Sequence, residues 1–207
     1  TPSSGARHDD RLGGSVTTGK LIVLEGADGV GTTTHTRHLA STLIAAGHAV
    51  HSTREPSDGP IGTIVRAVLR GEMMLPTAEA SGPSWATMAL LFAADRLHHL
   101  DGDIVPALRR GEVVVCDRYY HSSLVYQTAA SQEERVFQWV RALNARARVP
   151  DLTIVLTVSI EEATRRRKAR GEAPQIFDDE SVQERVMEGY QRLPELLPDE
   201  SLYSVDT

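Results

Sequence analysis

Residues 21–34 have the composition of a phosphate-binding loop that follows an apolar run and opens a helix. The pattern G-x-x-x-x-G-K-[ST] is satisfied by Gly26, Gly31 and Thr33, but Thr32 stands where lysine is usual. The glycines allow backbone N–H groups to turn towards phosphate oxygens, and the helix N-terminus adds positive potential. The loop therefore predicts nucleotide binding, while the missing lysine leaves catalysis to be argued from other residues.

Two further clusters combine residue types that could hold a nucleotide. Arg54 and Glu55 follow a predicted strand and could provide a phosphate ligand and its counter-charge, or could simply belong to a turn. Phe92 and Arg96 are four residues apart on one helix face, where an aromatic ring beside a guanidinium suits a base stacked above a phosphate. The alternative for this pair is a core phenylalanine with a solvent-facing arginine.

Charged residues also follow the third predicted strand and fill a later helix. Asp117 could hold Mg²⁺ through water or orient an attacking phosphate, and Arg118 could bridge phosphates, although a surface ion pair is the alternative. Five cations within 165–170 are typical of a solvated helix face, but before a glycine-containing loop they suit a lid that closes over phosphates. The spacing of the histidines does not match a zinc site. The sequence contains no G-x-S-x-G element, so it gives no reason to expect a hydrolase triad.

Alternating strands and helices must position these residues. Apolar, β-branched runs predict strands at Lys20–Glu25, Ala49–Thr53, Val113–Cys116, Leu152–Val158 and Leu202–Val205. Amphipathic segments predict helices at Thr32–Ala46, Ile61–Arg70, Ser84–Leu100, Ile104–Arg110, Glu133–Arg146, Ile160–Arg170 and Ser181–Leu193. This alternation indicates an α/β fold with a five-stranded parallel sheet, helices on both faces, and ligands at the carboxyl ends of the strands.

Composition narrows the class of protein. The 207 residues, 41% of them hydrophobic, suffice for a single domain at 20–207 after a polar N-terminal tail at 1–19 that we expect to be flexible. The net charge of −6 argues against a broad nucleic-acid or anionic-membrane surface. The single cysteine, Cys116, excludes an internal disulfide and is expected to be buried. Without a membrane-spanning stretch or a signal-peptide core, the cytoplasm is the expected location.

Taken in order, these motifs resemble those of bacterial thymidylate kinases over most of residues 20–206. Beside the glycine loop, the matching stretches are T-R-E-P at 53–56, L-L-F-A-A-D-R at 90–96, D-R-Y-Y-H-S-S at 117–123 with Tyr126-Gln127, P-D-L-T at 150–153 and R-G-E at 170–172. The resemblance implies a P-loop NTPase-type fold with a short arginine-rich lid at about 166–178. It also implies a homodimer that transfers the γ-phosphate of ATP to dTMP with Mg²⁺, giving dTDP.

The resemblance further implies roles on the donor side. Arg166 would lie beside the adenine of ATP, and Thr33 and Asp117 would hold Mg²⁺. Catalysis would rest on Asp117, Arg118, Thr32 and Arg170, with Arg170 supplying positive charge from the lid. The ATP phosphates would contact the loop residues Gly26, Ala27, Asp28, Gly29, Val30, Gly31, Thr32, Thr33 and Thr34.

The acceptor would occupy a second set of residues. Phe92 would stack on thymine beside Leu69, and Tyr126 would pack on the deoxyribose. Asp28 would contact the sugar 3′-hydroxyl or the surroundings of the phosphate. The remaining implied contacts are Arg54 and Arg96 to the phosphate, Arg118 between both phosphates, Ser122 and Ser123 to the base, and Glu55 and Pro56 in the same site.

Departures from the family pattern leave three hypotheses. Thr32 replaces the lysine, Thr157 stands where an aspartate is frequent, and the chain stops at Thr207 where the family commonly continues into a final helix. A hydrogen bond to a charged group contributes roughly 1.5–3 kcal/mol, so neighbouring arginines could cover the missing lysine. Because the Asp-Arg pair and the acceptor residues are present, we expect an active dTMP kinase. The alternatives are a kinase for another deoxynucleoside monophosphate and a catalytically silent nucleotide-binding relative.

Overall fold

All five predicted strands are present in the computed structural model, which describes residues 19–73, 83–131, 133, 135–170 and 180–207, except for the side chain of Arg170. The strands are β1 (Leu21–Glu25), β2 (Val50–Arg54), β3 (Val113–Asp117), β4 (Leu152–Thr157) and β5 (Leu202–Asp206). The α-helices are α1 (Thr32–Ala45), α2 (Pro60–Leu69), α3 (Trp85–His99), α4 (Val105–Arg109), α5 (Tyr120–Ala130), α6 (Val136–Leu143), α7 (Ile160–Arg170) and α8 (Glu180–Leu196), and a π-helical turn (Leu100–Ile104) joins α3 to α4.

The strands form one parallel sheet in the order β2-β3-β1-β4-β5. Leu24 of β1 and Arg54 of β2 both stand opposite Asp117 of β3. The carboxyl ends of these three neighbouring strands therefore meet at one edge of the sheet, where ligands of such folds bind. The predicted α/β fold with a five-stranded parallel sheet is confirmed.

Helix α5 was not predicted from the sequence. Its segment, Y-H-S-S-L-V-Y-Q-T-A-A, begins with aromatic, β-branched and hydroxyl residues whose helix propensity is modest. Eight of its residues are buried, so tertiary packing outweighs that local preference. All seven predicted helices are present: α7 has the predicted bounds, and the other six are shifted at one or both ends. Helix α8 continues through Pro194 to Leu196, past its predicted end.

Burial follows the predicted pattern in the interior of the sheet but not at its edges, where β2 is partly buried and β5 is mostly exposed. Leu21 and Val23 of the central strand β1 and Val114 and Val115 of its neighbour β3 are fully buried. Cys116 is also fully buried, as expected, and burial raises the pKa of its thiol well above the ordinary value. In the described part of the chain, no helix is both long and apolar enough to cross a membrane.

Parts of two predictions lie outside the described residues. These are residues 1–18 of the predicted tail and residues 171–178 of the predicted lid. Gly19, assigned to the tail, instead packs on the domain, because its N–H donates to the carbonyl of Leu108 at 2.8 Å.

Gly62 offers a test of packing against helix propensity. In an unconstrained helix, alanine would be favoured over glycine by about 1 kcal/mol. A Cβ at Gly62, however, would lie 2.0 Å from the carbonyl oxygen of Ser57. The backbone of Ser57 is held in place, because its N–H and hydroxyl both donate to Asp95, at 2.7 and 2.6 Å. We expect Gly62→Ala to lower the free energy of unfolding by about 1–3 kcal/mol in urea denaturation.

Gly102→Ala is the matched control, because no atom lies within 4 Å of a Cβ built at Gly102. It should leave the free energy of unfolding unchanged or raise it. A Gly62→Ala protein as stable as this control would contradict the prediction, because it would show that the backbone at Ser57 shifts to accommodate the added Cβ at little cost.

Candidate active site

The phosphate-binding loop needs its glycines for conformation and for close packing. Gly29 and Gly31 have φ angles of +97° and +96°, in the region that favours glycine. A Cβ at Gly29 would also lie 2.4 Å from the carbonyl oxygen of Ala163 in α7. The loop backbone therefore packs closely against α7. Thr32, which stands at the lysine position, is the first residue of α1 and is buried.

Thr33 and Asp117 meet where α1 begins and β3 ends. The Thr33 hydroxyl donates to Oδ2 of Asp117 at 2.6 Å. Oδ1 of Asp117 is buried and finds no hydrogen-bond partner within the described residues. Mg²⁺ binds oxygen ligands and is commonly held by one or two carboxylates plus phosphates and water. The Thr33 hydroxyl and the Asp117 carboxylate therefore fit the predicted metal position. No group of three or more metal-binding side chains occurs among the residues that the structure describes.

Arg118 joins the phosphate-binding loop to α5. Its backbone has φ of +69°, unusual for a residue with a side chain, and its N–H donates to the carbonyl of Leu24 at 2.8 Å. The guanidinium donates to Asp28 at 2.6 Å and to the Ser122 hydroxyl at 3.2 Å, and it lies 5.4 Å from the centre of the Tyr126 ring. The alternative interpretation, a surface ion pair of Asp117 with Arg118, required these neighbours to bond to each other. Arg118 instead bonds to Asp28 and Ser122.

Glu25, for which the sequence predicted no role, holds the start of α5. This fully buried carboxylate accepts from the N–H groups of Tyr119 and Ser122 at 2.8 and 3.2 Å, from the Ser122 hydroxyl at 2.6 Å, and from the Tyr190 hydroxyl at 2.9 Å. The available signal was a carboxylate at the end of an apolar strand, directly before the glycine loop. Glu25 fixes α5 relative to that loop.

His121 lies buried between two carboxylates, one of which is Glu25. Its Nε2 is 2.8 Å from Oε2 of Glu200, and its Nδ1 is 3.7 Å from Oε1 of Glu25. Burial disfavours the charged imidazole, but these two carboxylates outweigh it and raise the pKa of His121. Burial alone would raise the pKa of Glu25, but His121, with help from Ser122, lowers it. The pair therefore keeps Glu25 an acceptor for α5.

A pocket of about 160 Å³ lies between the loop, α3 and α5, and we call it the Phe92 pocket. Every predicted substrate contact except Arg54 lines it. The lining residues are Asp28, Glu55, Pro56, Leu69, Phe92, Arg96, Arg118, Tyr119, Ser122, Ser123, Tyr126 and Gln127. The tertiary structure thus gathers residues from five separate segments of the chain around one cavity.

Helix α5 presents two rows of side chains to this pocket. Ser122 and Tyr126, four residues apart, contact Arg118 on the side of the phosphate-binding loop. Ser123 and Gln127 form the second row, in which Ser123 accepts a hydrogen bond from Arg96 of α3 at 3.2 Å. The amide oxygen and nitrogen of Gln127 are both buried and have no hydrogen-bond partner in the described structure. Gln127 therefore brings to the pocket wall a buried donor and acceptor that the described residues leave unsatisfied.

Arg96 is a buried member of this pocket, not a solvent-facing residue. Only 1% of it is exposed, and its guanidinium pairs with Glu55 at 2.7 Å and donates to Asn144. Phe92 lies four residues earlier and lines the same pocket, so the predicted shared face is confirmed. The negative charge of the Glu55 carboxylate neutralises the positive charge of Arg96.

Arg54 points away from the Phe92 pocket. It donates to Asp58 at 2.8 Å while Glu55 pairs with Arg96, so the two residues face different partners, and the predicted contact of Arg54 with the acceptor phosphate stays a prediction. The physical reason is that the chain turns directly after β2, which sends Glu55 towards α3 and leaves Arg54 exposed. Arg54 lines a second cavity of about 690 Å³, which also contains His51, His98 and His99 and which we call the histidine cavity.

The arginine-rich helix α7 contacts the phosphate-binding loop. Arg166 donates to the carbonyl of Val30 at 3.5 Å and to Glu162 at 2.6 Å, which places it beside the predicted ATP position. Arg165 also bonds to Glu162, and the two arginines lower the pKa of that carboxyl to about 2. The Arg170 side chain, predicted to be catalytic, lies outside the described part of the structure.

Comparison with known proteins agrees with this geometry. A family model described as thymidylate kinase matches residues 24–207. A probable thymidylate kinase of Pyrococcus horikoshii is 39% identical over 181 residues, covering 87% of this chain and 85% of that protein. A thymidylate kinase of Alkalilimnicola ehrlichii is 39% identical over 191 residues, covering 89% and 83%, and a probable thymidylate kinase of Pyrococcus abyssi is 38% identical over 178 residues, covering 86% and 84%. With a glycine loop and a Phe92 pocket built around the same sheet edge, the chain belongs to the thymidylate kinase family.

Proposed function

We propose that this protein phosphorylates dTMP with ATP, giving dTDP and ADP. The observation that carries the proposal is that Asp28 of the phosphate-binding loop and Phe92 of α3 line one pocket, which Arg118 also lines while it donates to Asp28. An acceptor seated on Phe92 would thereby bring its phosphate to the loop that holds the donor. The names of the relatives, thymidylate kinase and probable thymidylate kinase, point to the same acceptor.

The second row of α5 suits a pyrimidine that carries both an N–H group and carbonyl oxygens. Phe92 supplies a ring face for stacking, and Leu69 and Pro56 add apolar wall. The amide of Gln127, which has no hydrogen-bond partner among the described residues, can donate to a carbonyl and accept from a ring N–H, the pattern on one edge of thymine. Because Arg96 is buried beside Ser123 and neutralised by Glu55, we reassign it from the acceptor phosphate to this polar edge of the base.

The first row of α5 suits the sugar and the phosphate. Tyr126 lies beneath the Arg118 guanidinium and meets the Tyr190 ring edge to face, which leaves a flat wall for a deoxyribose. Arg118 is then the cation between acceptor and donor. An oxygen of the dTMP phosphate attacks the γ-phosphorus of ATP while the bond to the β-phosphate oxygen breaks. The transition state spreads charge over the γ-phosphate oxygens, which Arg118 is placed to meet.

The donor side rests on the loop amides and on Thr33 and Asp117. Thr33 and Oδ1 of Asp117, an oxygen that no described group hydrogen-bonds, would hold Mg²⁺, which when bound neutralises phosphate charge. Arg166 flanks the loop where the adenine of ATP is expected. Arg170 on the lid supplies the further positive charge that Thr32 cannot.

We also infer a homodimer located in the cytoplasm. Helices α2 and α3 pack on one another and carry the exposed apolar side chains Ile64 and Leu90, at 42% and 52% exposure. Covering such side chains on a second copy would bury apolar area on both, as symmetric dimers do. A cytoplasmic location agrees with the single, buried cysteine.

The direct test is a coupled assay with ATP, Mg²⁺ and dTMP. We expect turnover with dTMP and at least tenfold lower kcat/KM with dCMP and dGMP. Cytosine would bring an amino group to Arg96, which can only donate, and guanine is larger than thymine for a pocket of about 160 Å³. The product should be identified as dTDP by chromatography. Turnover at background level, with nucleotide binding retained, would instead show a silent relative, and preference for another monophosphate would show a different acceptor.

Substitution of Gln127 tests how the base is read. Gln127→Leu has a similar shape but loses both polar groups, so we expect the KM for dTMP to rise about tenfold or more, since two neutral hydrogen bonds are lost. The KM for ATP should not change. Thr128→Ala, at the exposed next position of α5, is the control and should behave as wild type. An unaltered KM for dTMP in Gln127→Leu would remove Gln127 from the base site.

Arg118 and Thr32 are best tested together in a double-mutant cycle. Arg118→Lys should lower kcat by about a thousandfold, because an arginine at the transition state is worth about 10³–10⁵-fold. If Arg118 covers the missing loop lysine, Thr32→Lys should reduce that cost by about ten- to a hundredfold, the size of one charged hydrogen bond. Thermal denaturation would check that each protein is folded. Strictly additive effects would refute compensation between these positions.

A further inference from the structure

His99 connects the histidine cavity to the Phe92 pocket. It is the last residue of α3 and only 4% exposed, yet it lines the histidine cavity together with its exposed neighbour His98. Its Nδ1 lies 3.4 Å from Oε1 of Glu55, whose other oxygen pairs with Arg96 of the Phe92 pocket at 2.7 Å. One buried carboxylate is therefore shared between His99 and Arg96.

The other ring nitrogen of His99 faces a second set of partners. Its Nε2 is 2.7 Å from the Thr53 hydroxyl and 3.4 Å from Oδ2 of Asp103. Asp103 stands on the π-helical turn directly after α3, and π-helical turns are frequent at functional sites. The same oxygen of Asp103 contacts Nε2 of His51 at 2.9 Å. A continuous polar chain thus runs from His51 at the cavity wall to Arg96.

The protonated ring satisfies this environment better than either neutral form. A neutral imidazole has one N–H group, so it cannot donate to Glu55 and to the Thr53 hydroxyl at once. If Nδ1–H donates to Glu55, the Thr53 hydroxyl must donate to Nε2 and give up its 3.2 Å hydrogen bond to Asp103. The protonated ring donates to both Glu55 and the Thr53 hydroxyl. It also places two cations on Glu55, which leaves more of the positive charge of Arg96 available to the Phe92 pocket.

We propose that His99 is a positioning residue for the acceptor: in its protonated form it holds Glu55, and through Glu55 it sets the geometry and charge that Arg96 presents to dTMP. This inference rests on the proposed function, because it assigns Arg96 to the acceptor pocket. His99 itself does not line that pocket. The histidine cavity gives the buried ring access to solvent protons, since exposed Arg54, Asp58 and His98 line it.

The charges around His99 favour its protonation. Facing it are Glu55 after β2, Asp103 with its partner His51, Asp95 one turn earlier in α3, and more distant Asp58 and Arg96, while Asp117 of β3 lines the same cavity. Burial opposes the charged ring, but Glu55, followed by Asp103 and Asp95, outweighs it and raises the pKa of His99. Support for dTMP binding is therefore complete below the ordinary histidine pKa and is lost as the pH rises through the raised value.

The first test uses the unmodified protein. If protonation of His99 favours dTMP, then by linkage dTMP binding must raise the pKa of His99. Titration of the imidazole ring signals by NMR, with and without ligand, measures this shift directly. The phosphate of dTMP has its own pKa near 6, which would itself make binding depend on pH. Thymidine lacks the phosphate group and therefore serves as a second ligand. A His99 pKa that neither ligand moves would overturn the proposal.

The second test compares two neighbouring histidines. His99→Gln should weaken dTMP and thymidine binding at pH 6 about two- to tenfold by calorimetry, the range of one polar contact, and remove the pH dependence of thymidine binding. In turnover, the KM for dTMP should rise while kcat and the KM for ATP change little. His98→Gln, in the same cavity but exposed, should match wild type at every pH.

These measurements separate the two claims. A wild-type protein that binds thymidine with the same pH profile as His99→Gln would refute the role of His99 and leave the kinase proposal standing. A wild-type protein that binds neither ligand and does not turn over dTMP would refute both. Should His99→Gln not fold, the ring titration in the wild-type protein still decides the question.

Discussion

The buried carboxylate of Glu25 is the constraint on which the candidate site depends. It closes β1 directly before the glycine loop, and it accepts both backbone N–H groups and a hydroxyl from the first turn of α5. A helix N-terminus has unpaired donors, so a carboxylate at this point is favourable as well as geometrically specific. Because one residue serves both elements, the phosphate-binding loop and the helix that lines the acceptor pocket cannot move independently.

A charge as deeply buried as that of Glu25 requires compensation. His121 and the Tyr190 hydroxyl supply it from within the core, and His121 is itself held by Glu200 just before β5. The same design recurs at Glu55, which is buried between Arg96 and His99. In both places a buried carboxylate orients a group that lines the pocket. The substrate-facing side chains are therefore held by polar contacts that local sequence patterns do not reveal.

The fold was largely predictable because its signals are local. Five apolar strands, the glycine loop and most helices follow from periodicity and turn residues, and all five strands were found. The exception is α5, where poor local propensity was outweighed by burial and by Glu25. The failure matters for the site, since the two rows of α5 separate the sugar and phosphate side from the base side. Without that helix, Ser122, Ser123 and Tyr126 could be named but not placed, and Gln127 received no role.

The sequence by itself determined the parallel sheet, the nucleotide-binding loop with Thr32, and the shared face of Phe92 and Arg96, because each depends on residues close together in the chain. Only the tertiary structure decided that Glu55 pairs with Arg96 and not with adjacent Arg54, that Arg118 reaches Asp28, and that His99 stands behind Glu55. Those pairs join residues 41, 90 and 44 positions apart. Such contacts arise from the packing of elements across the sheet edge, and no short-range pattern of residue types specifies them.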